Sequence, residues 1–163
     1  MSDQTNGQRG LSIVLVEPLI PQNTGTIARV TAATGTHLHL VAPLGFELSD
    51  RYLKRAGLDY WPEVRLTVHP SWDGFLSNTG YTREELWLFS THGKSRYTAV
   101  SYRPQAAFVF GNEAKGLAPM FHERYADRMV RIPIDNTNVR SLNLSNAASI
   151  ALYEARRQLD IGD

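Results

Sequence analysis

Short apolar runs rich in β-branched and aromatic residues recur along the chain: LSIVLVE (11–17), HLHLVA (37–42), VRLTVH (64–69), ELWLFST (85–91), TAVSY (98–102), AAFVFG (106–111) and MVRIPI (129–134). Each has the length and composition of a strand. Between them lie segments with helical spacing: QNTGTIARVTAATG (22–35), SDRYLKRAG (49–57), PSWDGFLSN (70–78), PMFHERYADR (119–128) and a long segment from Leu144 to Leu159. HGKS (92–95) reads as a turn. Strands separated by helices predict an α/β fold, a mostly parallel sheet flanked by helices. In such folds ligands bind beyond the carboxyl ends of the strands. That rule points to FSTHGK after Phe89, GNEAKGL after Phe110, and the stretch that opens after Ile132.

Two helical segments carry clear stripes. In the first, Ile27, Val30, Thr31 and Thr34 recur at the 3.6-residue period, with Gly35 placed as terminator. Arg29 falls opposite this stripe, so it is expected to project outward near the start of a helix that begins around Asn23 or Thr24. In the last segment Leu144, Ala148, Ala151, Leu152, Ala155 and Leu159 form a core stripe, and the alanines allow close packing on a sheet. Asn146, Ile150, Tyr153 and Arg157 share the other side. Either a covered tyrosine over its own loop or a subunit interface accounts for that second stripe.

Composition narrows the class. The 163 residues suffice for one domain with a real core, and the expected division is a flexible tail over 1–10 and a single domain over 11–163. Seventeen basic and sixteen acidic residues give a net charge of +1, so a polyanion would be held by local patches: Arg51, Lys54 and Arg55; Lys94 with Arg96; Arg156 with Arg157. The absence of cysteine excludes disulfides and thiolate metal sites. No signal-peptide pattern opens the chain, and no apolar run reaches the roughly 18 residues that span a bilayer, so a soluble, cytoplasmic protein is expected.

Several chemistries lack their motif. HGKS resembles the end of a P-loop, but position 88, where that motif needs a glycine, is leucine. The turn after the first strand reads EPLIPQNTG, not the glycine-rich turn of a dinucleotide-binding unit. His37 and His39 merely alternate with leucines along a strand, no HExxH pair occurs, and no metal site is expected. No G-x-S-x-G elbow is present. What remains is FGNEAKGL (110–117), two glycines around Asn112 and Glu113 where backbone can approach a ligand closely, and IPIDNTNVRSLNLSN (132–146), which holds four asparagines, Arg140, Thr137 and two serines.

Taken together, EPLIPQNTGTIARVTAATG, FGNEAKGL and IPIDNTNVRSLNLSNAASIALYEARRQL resemble the three motifs of the SPOUT superfamily of RNA methyltransferases. Within it they are similar to the short tRNA (cytidine/uridine-34-2'-O)-methyltransferases, the TrmL group. The match runs from about Leu11 to Leu159. The resemblance implies an α/β domain with a C-terminal deep trefoil knot, S-adenosylmethionine as methyl donor without a metal, a homodimer whose active site is shared between chains, and the anticodon stem-loop of tRNA as partner, methylated at the wobble ribose. Carried over by motif, the cofactor pocket would include Phe89, Ser90, Thr91, Gly111, Ile132, Ser141 and Leu142. The catalytic positions would be Arg29, Glu113, Arg140, Ser141, Asn143 and Tyr153.

In this family an arginine, here Arg29, has been considered as general base. A guanidinium stays protonated in proteins. Arg29 is therefore expected to hold a phosphate or a developing alkoxide, with the proton leaving to water or phosphate. Glu113 is the other acid-base candidate, or else a carboxylate that orients Asn143 or Arg140. Two alternatives stand beside this reading: a 2'-O-methyltransferase acting on ribosomal RNA, and a catalytically silent RNA-binding module that has lost its cofactor.

Overall fold

The computed structural model describes residues 9–162 apart from Asp50 and Gly57. The sheet is built from β1 (Ser12–Val16), β2 (His37–Val41), β3 (Arg65–His69), β4 (Leu86–Phe89), β5 (Ser95–Arg96), β6 (Ala107–Phe110) and β7 (Met129–Arg131). The helices are α1 (Pro21–Thr34), α2 (Arg51–Ala56), α3 (Trp72–Thr79), α4 (Pro119–Arg124) and α5 (Leu144–Gln158), with 3-10 turns at Leu58–Glu63, Arg83–Glu85 and Ala126–Arg128. The strand order is β3-β2-β1-β6-β4-β7-β5, and every strand pairing is parallel.

Alternation along each central strand divides the core into two layers. Ile13, Leu15, Leu38, Leu40, Trp87, Phe89, Phe108 and Phe110 face one side, where they meet Ile27 and Ala28 of α1 and Ala148, Ala151, Leu152 and Ala155 of α5. Val14, Val16, Leu86, Leu88, Ala107 and Val109 face the other, against Trp72 and Phe75 of α3 and Phe121 of α4. A sheet apolar on both faces must be covered on both, which is why these strands read as continuous apolar runs.

The predicted stripes hold with small shifts. Helix α1 begins at Pro21, two to three residues before the expected start at Asn23 or Thr24, because proline suits the first helical position, where no N–H partner exists. Its buried line is Thr24, Ile27, Ala28 and Thr31, with Val30 only half-buried, and Gly35 caps it at φ 67°. In α5, Ala148, Ala151, Leu152 and Ala155 are buried, and Asn146, Ile150, Tyr153 and Arg157 are all exposed.

The run TAVSY departs from expectation. Residues 98–100 form a turn and bends and 101–102 are irregular, with no strand among them. The Gln158 side chain of α5 takes over the hydrogen bonding that a neighbouring strand would supply, donating to the Val100 carbonyl and accepting from the Tyr102 N–H, both at 3.0 Å. MVRIPI pairs only as far as Arg131, and Pro133 lacks the N–H that a longer ladder would need. Helix α4 stops at Arg124, short of the predicted Arg128, and gives way to a 3-10 turn. Of the expected tail, Arg9 bonds the Thr79 carbonyl and pairs with Glu85, and residues 1–8 lie outside the described residues. Lys54 of the first basic patch also lies outside the described side chains.

Candidate active site

Strands β6, β4 and β7 are neighbours, so the loops leaving their carboxyl ends meet. The loop after β6 folds back on itself: Asn112 and Gly116 exchange backbone hydrogen bonds of 3.3 and 3.0 Å, and Asn112 Oδ1 accepts the N–H groups of Ala114 and Lys115. A Cβ at Gly111 would lie 2.0 Å from the Gly116 carbonyl carbon and 2.2 Å from the Leu117 nitrogen. Only glycine permits that approach. The loop after β4 lies equally close to β7. Ser90 N–H donates to the Val130 carbonyl at 3.0 Å, a Cβ at Gly93 would come within 2.4 Å of that carbonyl carbon, and Arg131 Nη1 straps the loop through the carbonyls of Gly93 and Lys94 at 3.0 and 2.5 Å.

These loops and the approach to α5 enclose a cavity of about 540 Å³, within the usual range for a small-molecule site. All seven residues expected in a cofactor pocket line it: Phe89, Ser90, Thr91, Gly111, Ile132, Ser141 and Leu142. Its apolar wall includes Phe110, whose ring stacks on Phe89 with centroids 4.8 Å apart, and Ile134. The polar wall includes Asn112, Lys115, and the His92 and His122 rings, which meet edge to face at 6.0 Å. None of these six was assigned to the expected cofactor pocket or catalytic set, although His92, Asn112, Lys115 and Ile134 fall in the strand-end segments that topology points to. His92 lies in the loop after β4 and His122 on α4, thirty residues apart, and no local spacing could have paired them.

Glu113 sits at the rim with both oxygens engaged. Oε1 accepts the Leu19 N–H at 2.9 Å; Oε2 accepts the Ile20 N–H at 2.7 Å and the Asn23 side-chain amide at 3.3 Å. These donors open α1, whose own N-cap residue, Ile20, has no side chain to cap it. A carboxylate beside the positive end of that helix is favourable on charge as well. Asn23 Oδ1 in turn accepts from Asn143 Nδ2 at 3.1 Å, and Asn143 Oδ1 caps α5 through the N–H groups of Ser145 and Asn146. One polar chain, Glu113 to Asn23 to Asn143, thus ties the starts of two helices to the cavity rim. Asn23 was the missing member, and its signal was a polar side chain in the first turn after an apolar cap position.

The other expected catalytic positions divide. Arg140, Ser141 and Asn143 line the cavity with Glu113. Arg29 and Tyr153 do not. Arg29 is exposed on α1, with Nη2 3.4 Å from the Tyr60 hydroxyl and its guanidinium 4.8 Å from the Tyr60 ring centroid. Tyr153 is 53% exposed on α5.

The comparison with known families decides the class. The model of the SpoU rRNA Methylase family matches residues 10–153. The chain belongs to the SpoU rRNA methylase family. Among relatives of this SpoU-family chain, the tRNA (cytidine(34)-2'-O)-methyltransferase of Saccharophagus degradans is 49% identical over 150 residues, covering 91% of this chain and 95% of the relative. A solved structure concerned with the 2-OH methylation of C/U34 on tRNA superposes with a TM-score of 0.84 at 43% identity, covering 92% of this chain and 96% of that one. The SpoU methyltransferase AviRb from Streptomyces viridochromogenes, solved in complex with AdoMet, gives a TM-score of 0.82 at 26% identity and covers 96% of this chain and 64% of that one.

Proposed function

We propose that this chain is an S-adenosylmethionine-dependent methyltransferase that methylates the ribose 2'-oxygen of wobble nucleotide 34, cytidine or modified uridine, in tRNA. One observation carries the reading. The three strand-end segments of a chain 49% identical to a tRNA (cytidine(34)-2'-O)-methyltransferase converge on a single cavity of about 540 Å³. The cavity suits the methyl donor chemically: Phe89, Phe110, Ile132 and Leu142 offer apolar surface to a purine ring, and the close-packed turn at Gly111 leaves backbone at the ligand's edge.

Bound there, S-adenosylmethionine supplies a methyl group on a positively charged sulfur; the ribose 2'-oxygen takes the methyl, the carbon–sulfur bond breaks and the hydroxyl proton departs. The chain's own residues provide position. Glu113, through Asn23 and Asn143, fixes the rim against which Arg140 and Ser141 stand, and rigid placement of reactants supplies much of the rate in such transfers. A protonated Arg29 holds an RNA phosphate or the developing alkoxide, and the proton passes to water or phosphate.

Arg29 and Tyr153 lie on α1 and α5, which pack against each other on one face of the sheet. Both are exposed and outside this chain's cavity. That placement supports a homodimer in which each chain lends Arg29 and Tyr153 to a shared site. The reading further includes a single domain over 11–163, a trefoil knot formed by the loops around β7, the anticodon stem-loop as the RNA element bound, and a cytoplasmic location. No described helix is long and apolar enough to cross a membrane.

The test is to incubate the purified protein with radiolabelled S-adenosylmethionine and tRNA lacking wobble 2'-O-methylation, then map the label. Label on ribose 34, lost in Arg29→Ala, is the expected result. Label on ribosomal RNA alone would keep the chemistry and overturn the substrate; no binding of S-adenosylmethionine would overturn the enzyme. Sedimentation showing only monomer at micromolar concentration would overturn the shared site.

A further inference from the structure

A second concavity, of about 370 Å³, adjoins the first at Thr91, Ile132, Ile134 and Arg140, which line both. Its remaining charged residues are Arg96, Arg131 and one carboxylate, Asp135. Three guanidiniums against one carboxylate leave it cationic in a chain whose net charge is only +1.

The placement of two of these arginines is unfavourable in its own right. Strand β5 is Ser95–Arg96 at the sheet edge, and its register sets Arg96 directly beside Arg131 of β7. Residues so paired project to the same face, and like charges there repel. Among the described residues no ion pair joins Arg96, Arg131 or Arg140 to a carboxylate. Arg131 has a structural task, since its Nη1 straps the loop after β4. Arg96 and Arg140 have none of that kind, and both are exposed. Their approach to Arg131 becomes favourable once an anion stands among them, and arginine presents the planar fork that matches a phosphate.

The geometry points to a phosphate-binding subsite, built by Arg96, Arg131 and Arg140, that takes a backbone phosphodiester of the RNA beside the nucleotide entering the catalytic cavity. This rests on the RNA-methyltransferase reading above and deepens it. The shared wall at Thr91 and Arg140 lets one strand reach both concavities, and the exposed Asn136 and Thr137 add the uncharged side chains that commonly contact phosphate and sugar. Phosphate contacts fix register on the nucleic acid without reading its sequence, so the subsite would position the target ribose.

Binding of labelled tRNA is measured against salt concentration for the parent, Arg96→Gln and Arg96→Lys, together with calorimetric titration by S-adenosylmethionine. Arg96→Gln is expected to weaken tRNA binding about tenfold at low salt and to lower the slope of log affinity against log salt by about 1. Arg96→Lys keeps the slope, and S-adenosylmethionine binds all three proteins alike. Parent-like affinity and slope in Arg96→Gln would overturn the subsite. A matching loss of S-adenosylmethionine affinity would also overturn it, by placing Arg96 in the donor pocket. Inorganic phosphate that displaces tRNA as well as an equal concentration of a short RNA would assign the groove to free phosphate. A parent protein that transfers no methyl to tRNA yet binds it with the Arg96-dependent slope would refute the proposed activity and sustain this subsite.

Discussion

Replacing Glu113 with glutamine separates positioning from proton transfer. The carboxylate accepts two backbone N–H groups and one amide with two oxygens, whereas glutamine offers one oxygen and turns an NH2 toward the remaining donor. A charge-assisted hydrogen bond contributes about 1.5–3 kcal/mol, and charge at a helix N-terminus about 0.3–1 kcal/mol. The rim is solvated, so water replaces part of the loss, and the low end of the sum applies: about 2–3 kcal/mol. For a chain of this size that lowers the melting temperature by about 4–12 °C. The slackened rim displaces Asn143 and its neighbours, which lowers methyl transfer about ten- to hundredfold, with the pH dependence of the parent. Calorimetric melting and pH-rate profiles on the same protein make the comparison. A variant that melts within a degree of the parent, loses transfer by about a thousandfold and changes its pH profile would make Glu113 the proton acceptor and refute the positioning argument.

Gly111→Ala drives a Cβ into the backbone of Gly116 and Leu117, where no side chain can yield; it is expected to cost more than about 3 kcal/mol and to abolish S-adenosylmethionine binding, and a variant that melts and binds as the parent would refute this. Gly93→Ala meets the Val130 backbone in the same way and should fail alike in a melting assay. Tyr153→Ala, at an exposed position, is expected to weaken the proposed dimer by about 2 kcal/mol, roughly thirtyfold, in sedimentation equilibrium; an unchanged dimer excludes Tyr153 from the interface. His39 is 4% exposed, and burial first, then the charges of His37, His69, Arg65 and Arg9, lower its pKa to about 3. The unfolded chain takes up the proton first, so stability is complete above the unfolded value of 6.5 and is lost as pH falls from there toward 3, by up to about 4–5 kcal/mol. His37 and His69, also lowered chiefly by burial, add in the same direction. Urea unfolding at pH 7 and pH 4 measures the slope, which His39→Leu should flatten.

Most of the architecture was legible because burial writes itself into local pattern. Both faces of the central sheet are covered, so β1, β4 and β6 are apolar along almost their whole length; α5 is covered on one side, so alanines and leucines recur every three or four residues. TAVSY was misread because its apolar residues do pack on the core: Val100 is half-buried and Tyr102 buried. What the run lacks is a strand partner, and a side chain fifty-six residues away at Gln158 supplies the hydrogen bond to Tyr102 instead. Hydrophobic pattern reports burial; it does not report which group satisfies the backbone.

The same distinction explains the site. Loop residues that surround the cavity follow strand ends, and strand ends can be counted along a sequence; hence Phe89, Gly111 and Ile132 were placed by topology as well as by resemblance. The bond from Asn23 to Asn143 spans 120 residues, and that from Glu113 to Ile20 spans 93. No periodicity encodes such pairings: Asn23 and Asn143 need only be polar side chains at helix starts, and Glu113 a loop carboxylate within reach of backbone N–H groups that open α1. Arg29 is the opposite case. Its outward direction follows from helical spacing alone, yet outward here means away from the chain's own cavity and onto Tyr60. An arginine that catalyses from that position must act on a ligand bound to a second chain or reach across a bound RNA. Methyl transfer by a mixed dimer, one chain carrying Arg29→Ala and the other a cavity blocked by Gly111→Ala, distinguishes the two routes. If Arg29 serves the neighbouring site, the chain lacking Arg29 keeps an intact cavity served by its partner's arginine, and about half the parental rate survives in the mixture's heterodimers relative to a parental dimer. If Arg29 serves its own cavity, neither chain is complete and the heterodimer is silent.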